Sequence, residues 1–245
     1  MIVIALCALA SLLFAQGVVR LRRRGRPDLA SWRRVGLFAL GIVLVVLALV
    51  PFDELADENL AAHMTQHVLI GDLAIALLVL ATRGPLSLFL LPPAVLAPLA
   101  RSRVRTVVST LLRPRVAYVA WAGNLAFWHV PWLYDTAVAH EWVHYLEHTC
   151  WSLAGLLVWT ILLDDRRSRG RRVALAAAMF ASGTILTDVL VFTFHPIYPT
   201  YPSLTQQQLA GIVMMAEQVL TLGTLAFVLL RPRFRSRVRA VTARA

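Results

Sequence analysis

A chain of 245 residues that is 59% hydrophobic and 15% charged, with a mean hydropathy of +0.69, is too apolar for an ordinary soluble domain. A net charge of +11 and a pI near 11.2 would suit a nucleic-acid binder. The basic residues, however, sit in short segments between long apolar runs, so membrane topology explains them better and no nucleic-acid partner is expected. The two cysteines, Cys7 and Cys150, both lie inside apolar runs, which argues against a disulfide framework.

The pattern reads as an all-α polytopic membrane protein, a single helical-bundle domain over 1–245. Seven transmembrane helices are expected at about 1–20, 35–51, 61–82, 116–129, 139–163, 173–194 and 206–230. The first run lacks the basic leader of a signal peptide; its arginines follow it, so it reads as a retained helix with its N-terminus outside. The second run emerges into an acidic loop with Asp53, Glu54, Asp57 and Glu58. After the third comes a segment, 84–112, that is apolar in part but interrupted by Pro92, Pro93 and Pro98. Those prolines argue for a segment at the interface rather than a spanning helix. The fourth run is short, and the loop His129–Asp135 turns the chain back. A proline-rich loop, His195–Pro202, separates the sixth and seventh runs.

Charge orients this arrangement. All 24 basic residues are arginines, and all fall in Arg20–Arg34, Arg83–Arg115, Arg166–Arg172 and Arg231–Arg244. Seven helices with an outside N-terminus place these four segments, and the C-terminus, in the cytoplasm, as the positive-inside rule demands. The tail from Arg231 reads as an anchor at anionic lipid headgroups.

With that topology, all seven histidines lie in the outer half or in outer loops. At 100° per residue, His140, His144 and His148 fall at about 0°, 40° and 80° on one helix face, and Glu147 at about −20°. His63, Gln66 and His67 share a face of the third helix, with Met64 at its edge and Asp72 pointing elsewhere. On the seventh helix Gln207, Gly211, Met214 and Gln218 share a face, flanked by Gln206, Glu217 and Met215. Asp188 and Glu217 read as buried acids that are protonated or paired with a cation. Imidazole is the commonest metal ligand, and thioether sulfur shifts preference toward copper(I). His63, His67, His140, His144 and His148 are therefore the expected copper ligands, Met64 and Met214 soft partners, and Glu147, Gln66 and Gln207 supporting groups around them. His129 and His195 read as headgroup-level polar residues. Trp128, Trp132, Trp142 and the Tyr-Pro repeats read as an aromatic belt, and Gly183, Gly211 and Gly223 as close-packing positions.

Several motifs in order carry a family resemblance. His63-Met64-x-Gln66-His67 is followed by Trp128-His129-x-Pro131-x-Leu133-Tyr134-Asp135, then by His140, His144, Glu147 and His148. Tyr198-Pro199, Tyr201, Gln207-Gln208, Gly211 and Met214 close the series. Over about 60–220 the chain resembles the CtaG-type cytochrome c oxidase assembly factors. Its departures are Gln206 and Met215, where the family pattern commonly has an acid and an aromatic. The resemblance implies a multi-pass protein of the bacterial plasma membrane, not an enzyme, that aids formation of active haem-copper oxidase and partners oxidase subunits and membrane lipids. No oligomeric state is assigned. Two other readings stay open at this point. Facing histidines on the third and fifth helices could bind haem b. Glu147, Asp188 or Glu217 could serve as general base in a metal-dependent hydrolase or hydroxylase.

Overall fold

The computed structural model describes residues 2–99 and 101–231. The expected lipid anchor beyond Arg231 lies outside them. No strand occurs among the described residues. The long helices are α1 (Ile2–Arg23), α2 (Trp32–Leu49), α4 (Leu60–Thr82), α8 (Pro114–Trp128), α10 (Glu141–Leu162), α11 (Arg169–Phe192) and α12 (Leu204–Leu230). Between them lie α3 (Pro51–Glu58), α5 (Ser87–Leu90), α6 (Pro93–Leu99), α7 (Ser102–Leu111) and α9 (Pro131–Ala139). Proline at the first position starts α3, α8 and α9, where its missing N–H has no partner to lose.

Among the described residues, five stretches are long and apolar enough to cross a membrane: Ile2–Arg23, Pro27–Leu49, Leu60–Thr82, Arg169–Phe192 and Leu204–Leu230. The other two expected spans are helical too, but α8 has only 15 residues and the first half of α10 is polar. Large apolar side chains such as Ile2, Leu9, Leu12, Ile185, Phe192 and Phe227 face outward, as a lipid solvent requires.

The main core joins α4, α8, α10, α11 and α12. A smaller one joins α1, α2 and the start of the interfacial segment, with Phe14 stacked on Phe38 at 3.9 Å and Leu86 fully buried. Glycines set the close contacts. A side chain at Gly155 would meet the Gly71 carbonyl oxygen, so α10 lies against the backbone of α4. Gly71 sits in a π turn, Leu69–Leu73, and a second π turn, Val219–Gly223, interrupts α12. Such turns commonly mark functional sites. Gly211 packs against Val191 and Leu190 of α11, and Gly183 against Gln218. Gly223 is not a packing position: nothing lies within 4 Å of where its Cβ would be, and it ends the second π turn.

Arg34, Arg83 and Arg172 donate to carbonyls at helix ends. Arg34 reaches Ala81 at 3.1 Å and Arg83 at 2.6 Å. Arg83 reaches Leu163 at 2.9 Å, and Arg172 reaches Leu162 at 2.6 Å. These carbonyls have no partner within their own helices, and a guanidinium there also complements the helix dipole. The histidines of α4 and α10 start those same helices. His144 and Leu163 are thus separated by about 28 Å along the axis.

Candidate metal centre

Local sequence fixes where α4 begins. The Asn59 side chain accepts from the N–H groups of Ala61 and Ala62 at 2.9 and 3.1 Å, a helix N-cap. His63 and His67 then stand one turn apart on the inward face. Gln66 turns the other way, donating to the Ala48 carbonyl at 3.0 Å and to Asp53 at 2.9 Å. It ties α4 to α2 and α3 rather than supporting the histidines. Gln207 is likewise engaged elsewhere, accepting from Ile197 N–H at 2.6 Å and donating to Leu190 at 3.1 Å.

Helix α10 carries the facing set. Ligand atoms of His63, His67, His144 and Glu147 all lie within 4.8 Å of one another. The His148 ring centroid is 4.1 Å from that of His144 and 5.2 Å from that of His67. Glu147 Oε1 is 3.6 Å from His67 Nδ1 and accepts from Trp151 Nε1 at 3.4 Å. Glu147 is therefore a member of the group, not an outer support. All five side chains are buried. His63 Nε2, His144 Nε2, Glu147 Oε2 and both ring nitrogens of His67 and of His148 find no hydrogen-bond partner in the chain. Buried polar atoms are costly when left unpaired, and a set of three imidazoles and a carboxylate could hold a metal ion.

Tyrosines roof this group. Tyr134, Tyr198 and Tyr201 are each at most 2% exposed. The Tyr201 hydroxyl donates to the Ala56 carbonyl at 2.7 Å and lies 3.4 Å from His63 Nδ1. Its one hydrogen is already given to Ala56, so the imidazole donates in the second contact. That tautomer leaves the lone pair on Nε2. The Tyr198 ring lies tilted against that of Tyr134, centroids 4.3 Å apart. Burial pushes all three phenols above their usual range, with nearby acids adding to it, so they stay neutral hydrogen-bonding groups.

Several sequence expectations need correction. His140 is exposed and stands apart from the group. It is the extended residue before α10 (φ −131°, ψ 107°), so the helical phase that aligned it with His144 begins one residue too late. Asp188 is exposed rather than buried, on the outward face of α11. Trp128 is buried, at 3% exposed, whereas Trp132 and Trp142 do face outward. Tyr198 and Tyr201 line the site rather than a belt, because their loop folds back over α4 and α9. Cys7 and Cys150 are both free thiols, as expected.

Beneath the group lies a cavity of about 40 Å³, bordered by Met64, His67, Asp72, His129, Met214 and Glu217 among others. Its size suits a water or a single ion, not an organic substrate. Met64 and Met214 thus sit at this inner level, on helices α4 and α12. Asp72 accepts from Trp159 Nε1 at 3.2 Å, and Glu217 accepts from the Thr221 hydroxyl at 2.7 Å. His129, expected at headgroup level, is instead buried and borders this cavity, while Trp151 and Tyr134 have no site role in the sequence reading. His129, Tyr134, Tyr198 and Tyr201 lay inside recognised motifs, but their depth could not be read from spacing.

A family model described as cytochrome c oxidase caa3 assembly factor (Caa3_CtaG) matches residues 12–236. No match was found among curated proteins or among solved structures.

Proposed function

The chain belongs to the cytochrome c oxidase caa3 assembly factor family, and from that premise we propose that it assists maturation of an oxidase copper centre at the outer face of the bacterial plasma membrane. The observation that carries this reading is the buried convergence of His63, His67, His144 and Glu147 within 4.8 Å. Three imidazoles and one carboxylate fit copper or zinc by donor type, and the family's business with a haem-copper oxidase favours copper. His63, His67, His144 and Glu147 would hold the ion, with His148 beside them. A metal bound there supplies a store of copper that a partner can accept.

The protein's own residues set the conditions for that store. Tyr201 holds the His63 tautomer, Trp151 orients Glu147, and the tyrosine roof limits water. The close packing of the imidazole rings, with centroids 4.1–6.2 Å apart, leaves room for an ion but none for a porphyrin among them. Seven spans with the N-terminus outside remain the best topology for this role, supported by the arginines at the end opposite the histidines. The role is one of assembly rather than catalysis, and the expected partners are oxidase subunits and the surrounding lipid.

Metal analysis of the purified protein tests it. The wild type and His140→Ala are expected to retain copper, and His144→Ala to lose it together with oxidase activity of the cell membranes. A wild-type protein that binds no copper, or a His144→Ala strain with normal oxidase, overturns the proposal.

A further inference from the structure

We infer that the chain holds a second, softer metal site, formed by His129 Nε2 and the thioethers of Met64 and Met214 around the small cavity beneath the histidine group, and suited to a monovalent copper ion. His129 Nδ1 lies 2.8 Å from the Leu125 carbonyl. A carbonyl can only accept, so Nδ1 carries the hydrogen and Nε2 presents a lone pair. That Nε2 is buried, the side chain being 8% exposed, and it has no partner in the chain. An acceptor left alone in an apolar wall costs free energy unless something occupies it.

The other donors border the same space. Met64 is 1% exposed and Met214 is 8% exposed, and both line the cavity with His129. Methionines are ordinary packing residues in most cores. Here two of them, from two different helices, border with that imidazole a cavity of about 40 Å³, room enough for a water or one ion. One imidazole with two thioethers is a soft set that selects copper(I) over divalent ions, unlike the imidazole–carboxylate set above it. Asp72 and Glu217 border the cavity as well and supply counter-charge for a cation held in a low dielectric. His67, whose two ring nitrogens are both uncommitted, borders both sites.

This inference shares with the proposed function only the premise that the chain binds copper. Its ligands are different, so the two stand or fall separately. Silver(I) titration of the full chain in detergent separates them, in a Cys7→Ala/Cys150→Ala background that removes competing thiols. The unaltered ligand set is expected to bind two equivalents. His144→Ala should bind one, and the Met64→Leu/Met214→Leu pair should bind one tightly and the second at least tenfold more weakly. If the wild type binds a single equivalent that His144→Ala loses and the methionine variant keeps, the second site falls and the proposed function stands. If the wild type binds a single equivalent that both variants lose, the two sets form a single site and the inference is overturned. No binding at all by the wild type overturns both. Should the methionine variant fail to fold, X-ray absorption of the copper(I)-loaded cysteine-free protein decides. Sulfur neighbours to copper support the site, and a shell of nitrogen and oxygen alone overturns it.

Discussion

Replacing Gly155 by alanine should pull apart the two helices that form the histidine group, and the structure says by how much and why. The added Cβ would fall on the Gly71 carbonyl oxygen, 3.0 Å from the carbonyl carbon and 3.6 Å from the Gly71 Cα. Backbone cannot rotate away as a side chain can, so α4 and α10 must separate by about an ångström at this level to restore ordinary contact. Overpacking of this kind costs about 1–3 kcal/mol. Gly71 lies about 6 Å along α4 from His67, and Gly155 about 10 Å along α10 from His148, so a rigid separation reaches the ligands. A group whose donor atoms lie within 4.8 Å of one another tolerates little of it. Metal affinity should drop by about 10–100-fold, the range seen when ligand positioning is lost. The reciprocal change is the control. At Gly71 an added Cβ meets nothing nearer than Trp151 Cβ at 3.6 Å, an ordinary contact, so Gly71→Ala should be mild. Gly36, with nothing within 4 Å, should be neutral or slightly stabilised by alanine. Thermal unfolding in detergent and chelator competition measure the two effects. If Gly155→Ala melts and binds metal as Gly71→Ala does, the argument from helix contact is wrong.

Arg172 donates from a buried position to the Leu162 carbonyl at 2.6 Å, so Arg172→Met should lower stability by about 1.5–3 kcal/mol in the same melts, while exposed Arg171→Ala stays within about 0.5 kcal/mol. Tyr201→Phe removes the bond to Ala56 and frees His63 to adopt either tautomer. About 1 kcal/mol of stability and about tenfold in metal affinity should go with it, read by titration. Glu147→Gln should weaken metal binding, whereas Asp188→Asn, on an exposed face, should leave it unchanged. Saturating copper at about 100 times its dissociation constant should stabilise the protein by about 2.7 kcal/mol, and a strong chelator should return the melt to its starting point.

Much of this molecule was legible in the chain. Apolar runs and arginine segments mark helices and their ends because a bilayer punishes every departure from that pattern. The i, i+4 spacing of His63 with His67 and of His144 with His148 gave the two rows, since helical periodicity is a local property. Facing of the rows was not local. It depends on Gly71 meeting Gly155, two residues 84 positions apart whose contact no periodicity encodes. His140 fitted the same spacing yet lies outside the helix, because a histidine can end a turn from α9 as readily as it can start α10. Asp188 misled for a related reason: an acid in an apolar run is expected inward, but position along a helix does not specify which face it occupies. The tyrosines were misplaced because Tyr-Pro sequences at an interface and Tyr-Pro sequences over a cavity look alike until the loop's path is known.

The arginine ends carry a consequence for biogenesis. Arg34 is synthesised well before Ala81, and Arg83 well before Leu163, the carbonyls they hold. Each guanidinium must therefore wait, hydrated at the membrane surface, until a later segment has been threaded and released. A lysine could lose its proton during that wait at a low-dielectric boundary; a guanidinium keeps its charge. Its several donors also let Arg83 take the Leu163 carbonyl and the Asp165 carboxylate together, at 2.9 and 3.1 Å. Each contact forms only once the later helix is in place, so it ties that helix end to an earlier part of the chain. A chain without lysine is one whose helix-end ties rest on charges that cannot be switched off.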